Sequence, residues 1–241
     1  MLKVCKFGGS SVAGAEQFRK VRDIVLSDDS RRVVVISAAG KRTSDDHKLT
    51  DLLYLCHAHL TYGVSCADIL AAIRSRFVSI RDELGLSYRV EDEFDAYAAT
   101  LSRDTSVDEL VSRGEYFTAR LMAETLGYAF VDAADCVFFG FDGQFDRART
   151  DAAIADALEK NGKIVLPGFY GRVPTGKIKV MTRGGSDITG ALAAAAVNAD
   201  VYENWTDVSG ILMADPRIVE NPRPIPRITY AELREMAFMG A

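Results

Sequence analysis

The chain has 241 residues, 48% of them apolar and 26% charged, with a formal net charge of −5. This is the composition of a globular protein with one large α/β core or two small ones. The negative balance excludes a general nucleic-acid surface, while an anionic substrate needs only a few local cations. No basic segment followed by an apolar stretch opens the sequence, and the longest apolar run, residues 190–197, is far too short to span a bilayer. A cytoplasmic protein with no membrane contact is expected. Cys5, Cys56, Cys66 and Cys136 show no C-x-x-C spacing and read as reduced, buried thiols.

Residues 2–7 form an apolar strand that runs into Gly8-Gly9-Ser10-Ser11, with Lys6 two residues before the first glycine. Glycines let backbone N–H groups approach a phosphate, a helix N-terminus favours negative charge, and a lysine adds a mobile point charge. The junction therefore reads as a phosphate cradle. It has neither the Walker spacing nor the third glycine of a dinucleotide fingerprint, and a plain glycine turn with Lys6 on the surface is the competing reading. A helix follows at 15–26, with Phe18, Val21, Ile24 and Val25 on one face. Residues 32–37 are a β-branched strand ending in Ser37-Ala38-Ala39-Gly40, the kind of strand end where open α/β sheets bind ligands. The polar segment 40–48 reads as a mobile loop.

Helical patterns then cover 50–60, 66–84, 91–101 and 107–126. Strand-like runs occupy 128–131 and 136–139. A helix at 150–161 leads to a strand at 163–167, which ends in Gly168-Phe169-Tyr170-Gly171, and a turn-rich hairpin covers 172–180. An alanine-rich helix at 186–198, a strand at 201–206 and a helix at 229–239 complete the series. Strands alternating with helices predict a mainly parallel sheet covered on both faces, with a single domain as the default. Glu91-Asp92-Glu93 reads as a solvated helix start favoured by the helix dipole. His57 and His59 are two apart, which does not place them on one helical face, and no metal site is expected.

Three further segments carry possible chemistry. Met181-Thr182-Arg183-Gly184-Gly185-Ser186-Asp187 places glycines before a helix, where Ser186 has the character of an N-cap and Arg183 that of a bidentate carboxylate clamp. Trp205-Thr206-Asp207-Val208-Ser209-Gly210, followed by Ala214-Asp215-Pro216-Arg217, reads on turn chemistry alone as two ordinary turns. Ser112-Arg113-Gly114-Glu115 puts a glutamate beside a glycine on the longest helix, a place where glutamates are usually solvated.

In order and content these segments resemble the aspartate kinases of the amino-acid kinase superfamily. The resemblance runs the length of the chain through Lys6-Phe7-Gly8-Gly9-Ser10-Ser11, Val34-Val35-Ile36-Ser37-Ala38, Leu49-Thr50-Asp51-Leu52-Leu53, Gly114-Glu115, Gly168-Phe169, Arg183-Gly184-Gly185-Ser186-Asp187 and Thr206-Asp207-Val208 with Ala214-Asp215-Pro216-Arg217. It implies a three-layer α/β/α sandwich around a mostly parallel sheet. It also implies transfer of the γ-phosphoryl of ATP to the side-chain carboxylate of L-aspartate, the step that opens the lysine, threonine and methionine route. Mg²⁺ would ride mainly on the nucleotide phosphates. The implied catalytic residues are Lys6 and Asp187, and the phosphate-binding residues are Lys6, Gly8, Gly9 and Ser10. Ser37, Thr50, Glu115, Phe169, Arg183, Ser186 and Asp187 would hold the amino acid, with Arg183 on its α-carboxylate. Thr206, Asp207, Leu212 and Arg217 would contact the nucleotide. A homodimer is implied as well.

The sequence departs from the family pattern at several points. Ser10 stands for the usual threonine, Met181-Thr182 for Leu-Gly, and Leu212 for a nucleotide-contacting tyrosine. The sequence stops at Ala241, where the family continues into a lysine, a histidine-proline segment and ACT regulatory domains. The expectation is a catalytic domain, 1–241, without those regulatory domains and without feedback by lysine or threonine. The competing readings are a sister kinase with another carboxylate acceptor and a catalytically weak or silent nucleotide-binding fragment.

Overall fold

Branched apolar strands and amphipathic helices alternate along the chain, and the computed structural model assembles them as a parallel sheet covered on both faces. It describes residues 1–182, 184–207, 210–215 and 218–238. In chain order the elements are β1 (Lys3–Phe7), a 3₁₀ turn (Gly9–Val12), α1 (Ala15–Leu26), β2 (Arg31–Ile36), α2 (Leu49–Tyr62), α3 (Ala67–Leu84), α4 (Val90–Ala98) and α5 (Val107–Leu126). They continue with β3 (Ala129–Phe130), α6 (Ala133–Cys136), α7 (Arg147–Asn161), β4 (Ile164–Pro167), β5 (Tyr170–Arg172), β6 (Ile178–Val180), α8 (Gly185–Ala196), β7 (Val201–Trp205) and α9 (Tyr230–Phe238). The main sheet has the order β3-β4-β2-β1-β7, and all its pairs are parallel. β5 and β6 form the antiparallel hairpin expected near 172–180. The chain divides into two units, Met1–Trp205 and Thr206–Ala241.

Period-two alternation sorts the strand residues onto the two faces. Cys5, Phe7, Val34, Ile36 and Val165 join Phe18, Val25, Phe77, Phe117 and Leu121 in one apolar cluster. Val4, Val33, Val35, Ile164 and Leu166 join Ile154, Leu158, Leu192 and Ala193 in the other. Phe77, Phe94 and Phe117 tie α3, α4 and α5 together, with ring centroids 5.3, 5.5 and 6.0 Å apart. Truncating one such ring to alanine costs about 3–5 kcal/mol. All four cysteines are buried and free.

The structure changes three local readings. Residues 136–139 are not a strand. The Asp132 side chain accepts the Ala134 N–H at 2.9 Å and starts the short α6, after which Phe138 and Phe139 make only single bridges to Arg172 and Phe145. Glu93 is not simply solvated, because its carboxylate accepts hydrogen bonds from the hydroxyls of Tyr88 and Tyr116 and from Arg120. Segment 40–48 is pinned from beneath by Arg76, which is only 4% exposed and donates to the carbonyls of Gly40 and His47.

In the second unit, α9 opens with a capping box. Glu232 N–H donates to the Thr229 hydroxyl at 3.3 Å, and the Glu232 carboxylate accepts the Thr229 N–H at 2.7 Å. Leu212 and Pro224 pair as an isolated antiparallel bridge.

Candidate active site

Alternation along β1 sends Phe7 to one face and Lys6 to the other, the face covered by α8. Lys6 is 8% exposed, and its Nζ lies 2.7 Å from Asp187 Oδ1 in the first turn of α8. Asn204 Nδ2 donates to the same oxygen at 3.0 Å. A lysine at a strand end thus meets a carboxylate at a helix start, with the Asp187 side chain 46% exposed. The surface-lysine alternative for Lys6 is thereby removed.

Beyond Phe7 the ladder continues into the loops. Gly8 N–H donates to Trp205 O at 3.3 Å, Ser37 N–H to Phe7 O at 3.2 Å and Gly168 N–H to Ile36 O at 2.9 Å. The carboxyl ends of β1, β2 and β4 are therefore stitched side by side, the edge at which open α/β sheets take ligands. Gly9 and Gly40 touch backbone to backbone: Gly40 N–H donates to Gly9 O at 2.9 Å. A Cβ on Gly9 would meet Ala38 O at 2.8 Å, and one on Gly40 would meet Gly9 C and O at 2.8 Å. Ser10 follows, exposed, in the 3₁₀ turn.

Helix α5 supplies the floor beneath Ser37–Gly40. Gly114 sits where a Cβ would come within 3.0 Å of Ala38 Cβ. Thr118, fully buried, donates to Gly114 O at 2.6 Å and accepts the Ala39 N–H at 3.2 Å. Glu115 is 5% exposed, and its Oε2 has no hydrogen-bond partner. Burial pushes its carboxyl up to about 8, against the opposing influence of the Ala38 N–H. The solvated reading of Glu115 fails because its side chain is buried beside the Ala38 backbone. Thr50 lies in the first turn of α2, whose Leu49 N–H donates to Ala39 O at 3.4 Å.

The start of α8 repeats the device seen in α5. Thr189, fully buried, donates to Gly185 O at 3.0 Å and accepts the Phe169 N–H at 3.1 Å. Gly168 is pressed against Ser186, whose Oγ would lie 2.6 Å from a Cβ there. Ser186 does not cap the helix: Gly184 holds the N-cap position with φ +79°, without a side-chain bond, and Ser186 is buried inside the first turn. Phe169 adopts φ +77°, an uncommon conformation for a bulky residue, and turns the chain between β4 and β5.

The first unit therefore gathers Lys6, Gly8, Gly9, Ser37, Phe169, Ser186 and Asp187 along one sheet edge, with Ser10 leading away from it and Glu115 and Thr50 on the helices beneath. Arg183 and Arg217 lie outside the described residues. Thr206, Asp207 and Leu212 belong to the second unit, where the Thr206 hydroxyl donates to Asp207 Oδ1 at 3.1 Å. Thr118, Thr189, Asn204 and Arg76 escaped the sequence reading. The two threonines had a visible signal, a Gly-x-x-x-Thr spacing at Gly114–Thr118 and again at Gly185–Thr189, because a hydroxyl one helical turn on can bond back to the glycine carbonyl.

The Amino acid kinase family model matches residues 1–241. Aspartokinase 3 of Bacillus subtilis is 34% identical over 253 residues, which are 99% of this chain and 56% of that protein. A solved aspartate kinase from Clostridium acetobutylicum superposes with a TM-score of 0.92 at 45% identity, over 99% of this chain and 55% of its own. Aspartokinase III of Escherichia coli, solved in complex with aspartate and ADP, gives 0.82 at 31% identity, over 99% and 56%. The chain thus spans about half the length of the relatives it matches. On the full-length family match and the fold it shares with these enzymes, the chain belongs to the amino acid kinase family.

Proposed function

We propose that this chain transfers the γ-phosphoryl group of ATP to the side-chain carboxylate of L-aspartate, giving 4-phospho-L-aspartate and ADP. The observation that carries this reading is the Lys6–Asp187 pair, 2.7 Å long, set at the sheet edge beside the Gly8-Gly9 backbone. An aspartate oxygen attacks the γ-phosphorus, the bond to the β–γ bridging oxygen breaks, and ADP leaves with that electron pair. The acceptor is already ionised, so no strong base is required. The difficulty lies in bringing two anions together, and catalysis rests on positioning and charge neutralisation.

Lys6 neutralises charge on the transferring group and Asp187 fixes its ammonium. Gly9 offers its backbone N–H to the phosphates, with Gly8, whose own N–H is held by Trp205 O, and Ser10 on either side of it. Mg²⁺ arrives with the nucleotide, as MgATP; among the described residues no group of three or more His, Cys, Asp or Glu is arranged to hold an ion by itself. Glu115, with one buried oxygen lacking a partner, helps define the amino-acid pocket, and Asp187 also orients the α-ammonium of the amino acid. Ser37, Thr50, Phe169 and Ser186 are assigned to the amino acid, with Arg183 on its α-carboxylate. Thr206, Asp207, Leu212 and Arg217 are assigned to the nucleotide. Residues 1–241 act in this reading as the catalytic domain of a cytoplasmic homodimer, whose mass in solution light scattering measures. Among the described residues no helix is long and apolar enough to cross a membrane.

The test is hydroxamate formation with MgATP, hydroxylamine and a panel of L-aspartate, L-glutamate and N-acetylglutamate. Colour with aspartate alone is expected. Colour with another acceptor moves the chain to a sister activity, and none with any acceptor overturns the kinase reading.

A further inference from the structure

Arg76 is a buried cation that the proposed reaction does not use directly. It projects from α3 and is 4% exposed. One arm of its guanidinium donates to Gly40 O at 2.5 Å and the other to His47 O at 2.6 Å, with Asp46 Oδ2 at 3.4 Å. Nε has no partner. A guanidinium taken out of water costs several kcal/mol unless its partners are well placed. Here its bonds go to two carbonyls and one carboxylate of a single loop, the one that joins β2 to α2.

The two ends of that loop adjoin the Gly9–Ser10 peptide and the start of α2. Gly40 is packed on the Gly9–Ser10 peptide and bonds Gly9 O through its N–H, so the first arm of Arg76 is one residue removed from the phosphate cradle. His47 is followed by Leu49, which bonds Ala39 O, and by Thr50 in the first turn of α2. Asp46 is held well below the usual carboxylate range by Arg42, which donates to it through its backbone N–H at 3.0 Å and its Nε at 2.8 Å. The loop carries its own anion to the buried cation, and only a rigid planar fork reaches both carbonyls at once.

We infer that Arg76 is a positioning residue for phosphoryl transfer: it clips loop 40–48 into the conformation that presses Gly40 onto the Gly9–Ser10 peptide and leads into Thr50 at the start of α2. This inference rests on the kinase reading above. Displacing a phosphate cradle by about an ångström costs up to about a hundredfold in rate.

The experiment compares Arg76→Met, Arg76→Lys and the control Phe77→Leu, which loosens the same helix in the aromatic cluster without touching the loop. Each is assayed for kcat, KM for MgATP and aspartate, melting temperature, and the rate of tryptic cleavage after Lys41, Arg42 and Lys48. Arg76→Met should raise the KM for MgATP about tenfold, lower kcat and speed cleavage at those three sites. Arg76→Lys should recover part of the loss, because an ammonium reaches one carbonyl but not both. Phe77→Leu should lower the melting temperature and leave KM and loop cleavage unchanged. Wild-type KM and cleavage in both Arg76 variants would overturn the inference, as would the same KM and cleavage changes in Phe77→Leu. Should the unmodified chain phosphorylate no acceptor, the kinase reading falls, and the cleavage rates still decide whether Arg76 holds the loop.

Discussion

Two glycine pairs stand before helical turns in this molecule, Gly8-Gly9 after β1 and Gly184-Gly185 before α8, and Gly9 and Gly184 use glycine for different reasons. At Gly9 the need is space: a Cβ there collides with the Ala38 carbonyl at 2.8 Å. At Gly184 there is room, since a Cβ would lie 3.9 Å from Asp187 Oδ2, but the backbone turns left-handed at φ +79°. The first junction is a contact between two strand-end loops and tolerates no atom. Gly184 makes a local turn that starts a helix and carries Asp187 to Lys6, while Gly185 after it is crowded in its turn, a Cβ there meeting Met181 Cβ and Phe169 Cδ2 at 2.8 Å. Crowding of backbone against backbone is the stricter requirement, because neither side can rotate away.

The largest effect should come from the bond that joins the two junctions. Lys6→Met should cut kcat about a thousandfold, the scale of losing one preorganised charge-stabilising donor, with the fold intact by circular dichroism. A variant retaining a tenth of wild-type kcat would remove Lys6 from the chemistry. Next, Gly9→Ala should lower kcat/KM for MgATP about a hundredfold, because Gly9 and Ala38 must part; near-normal kinetics would show that the crowding at Gly9 is without consequence.

Smaller effects sharpen the contrast. Thr118→Val leaves the Ala39 N–H without its acceptor, and Thr189→Val does the same to Phe169. Each should destabilise by about 1–3 kcal/mol, read from denaturant unfolding, with Thr→Ser restoring most of it. Equal stability of the Val and Ser forms would rule out the hydroxyl as the active element.

Glu115 gives a pH dependence of known sign. Its folded proton affinity, about 8, exceeds the ordinary value of 4.5. Its contribution to stability is therefore complete below pH 4.5 and is lost as pH rises through 8. Glu115→Gln should melt about 10 °C above the unmodified chain at pH 9 and match it near pH 4. A difference independent of pH would contradict the buried neutral carboxyl. The smallest effect should be Gly184→Ala, about 1–2 kcal/mol from the left-handed backbone alone, with Gly184→Asn milder still, both measured by thermal melting.

Much of this arrangement was legible in the sequence, for identifiable reasons. Helices 15–26 and 107–126 match α1 and α5 residue for residue, since each has an apolar stripe at helical spacing and a clear stop. The strands at 32–37 and 163–167 were visible as continuous branched apolar runs, the mark of a sheet buried on both faces. Residues 136–139 misled because Cys136-Val137-Phe138-Phe139 is equally apolar in a helical turn and in a bridge. Glu93 misled because its partners, Tyr88, Tyr116 and Arg120, include two from α5, more than twenty residues away.

By itself the sequence determined the local order: which segments form strands and helices, where glycines interrupt them, and that Lys6 and Asp187 each stand at a strand–helix junction. Only the tertiary structure decided that those two meet, that Glu115 is sealed with one oxygen unpartnered, and that Arg76 lies beneath the loop it holds. The reason is physical. Periodicity and turn chemistry are carried by neighbours along the chain, whereas burial and pairing of charge depend on which distant segments the parallel sheet brings side by side.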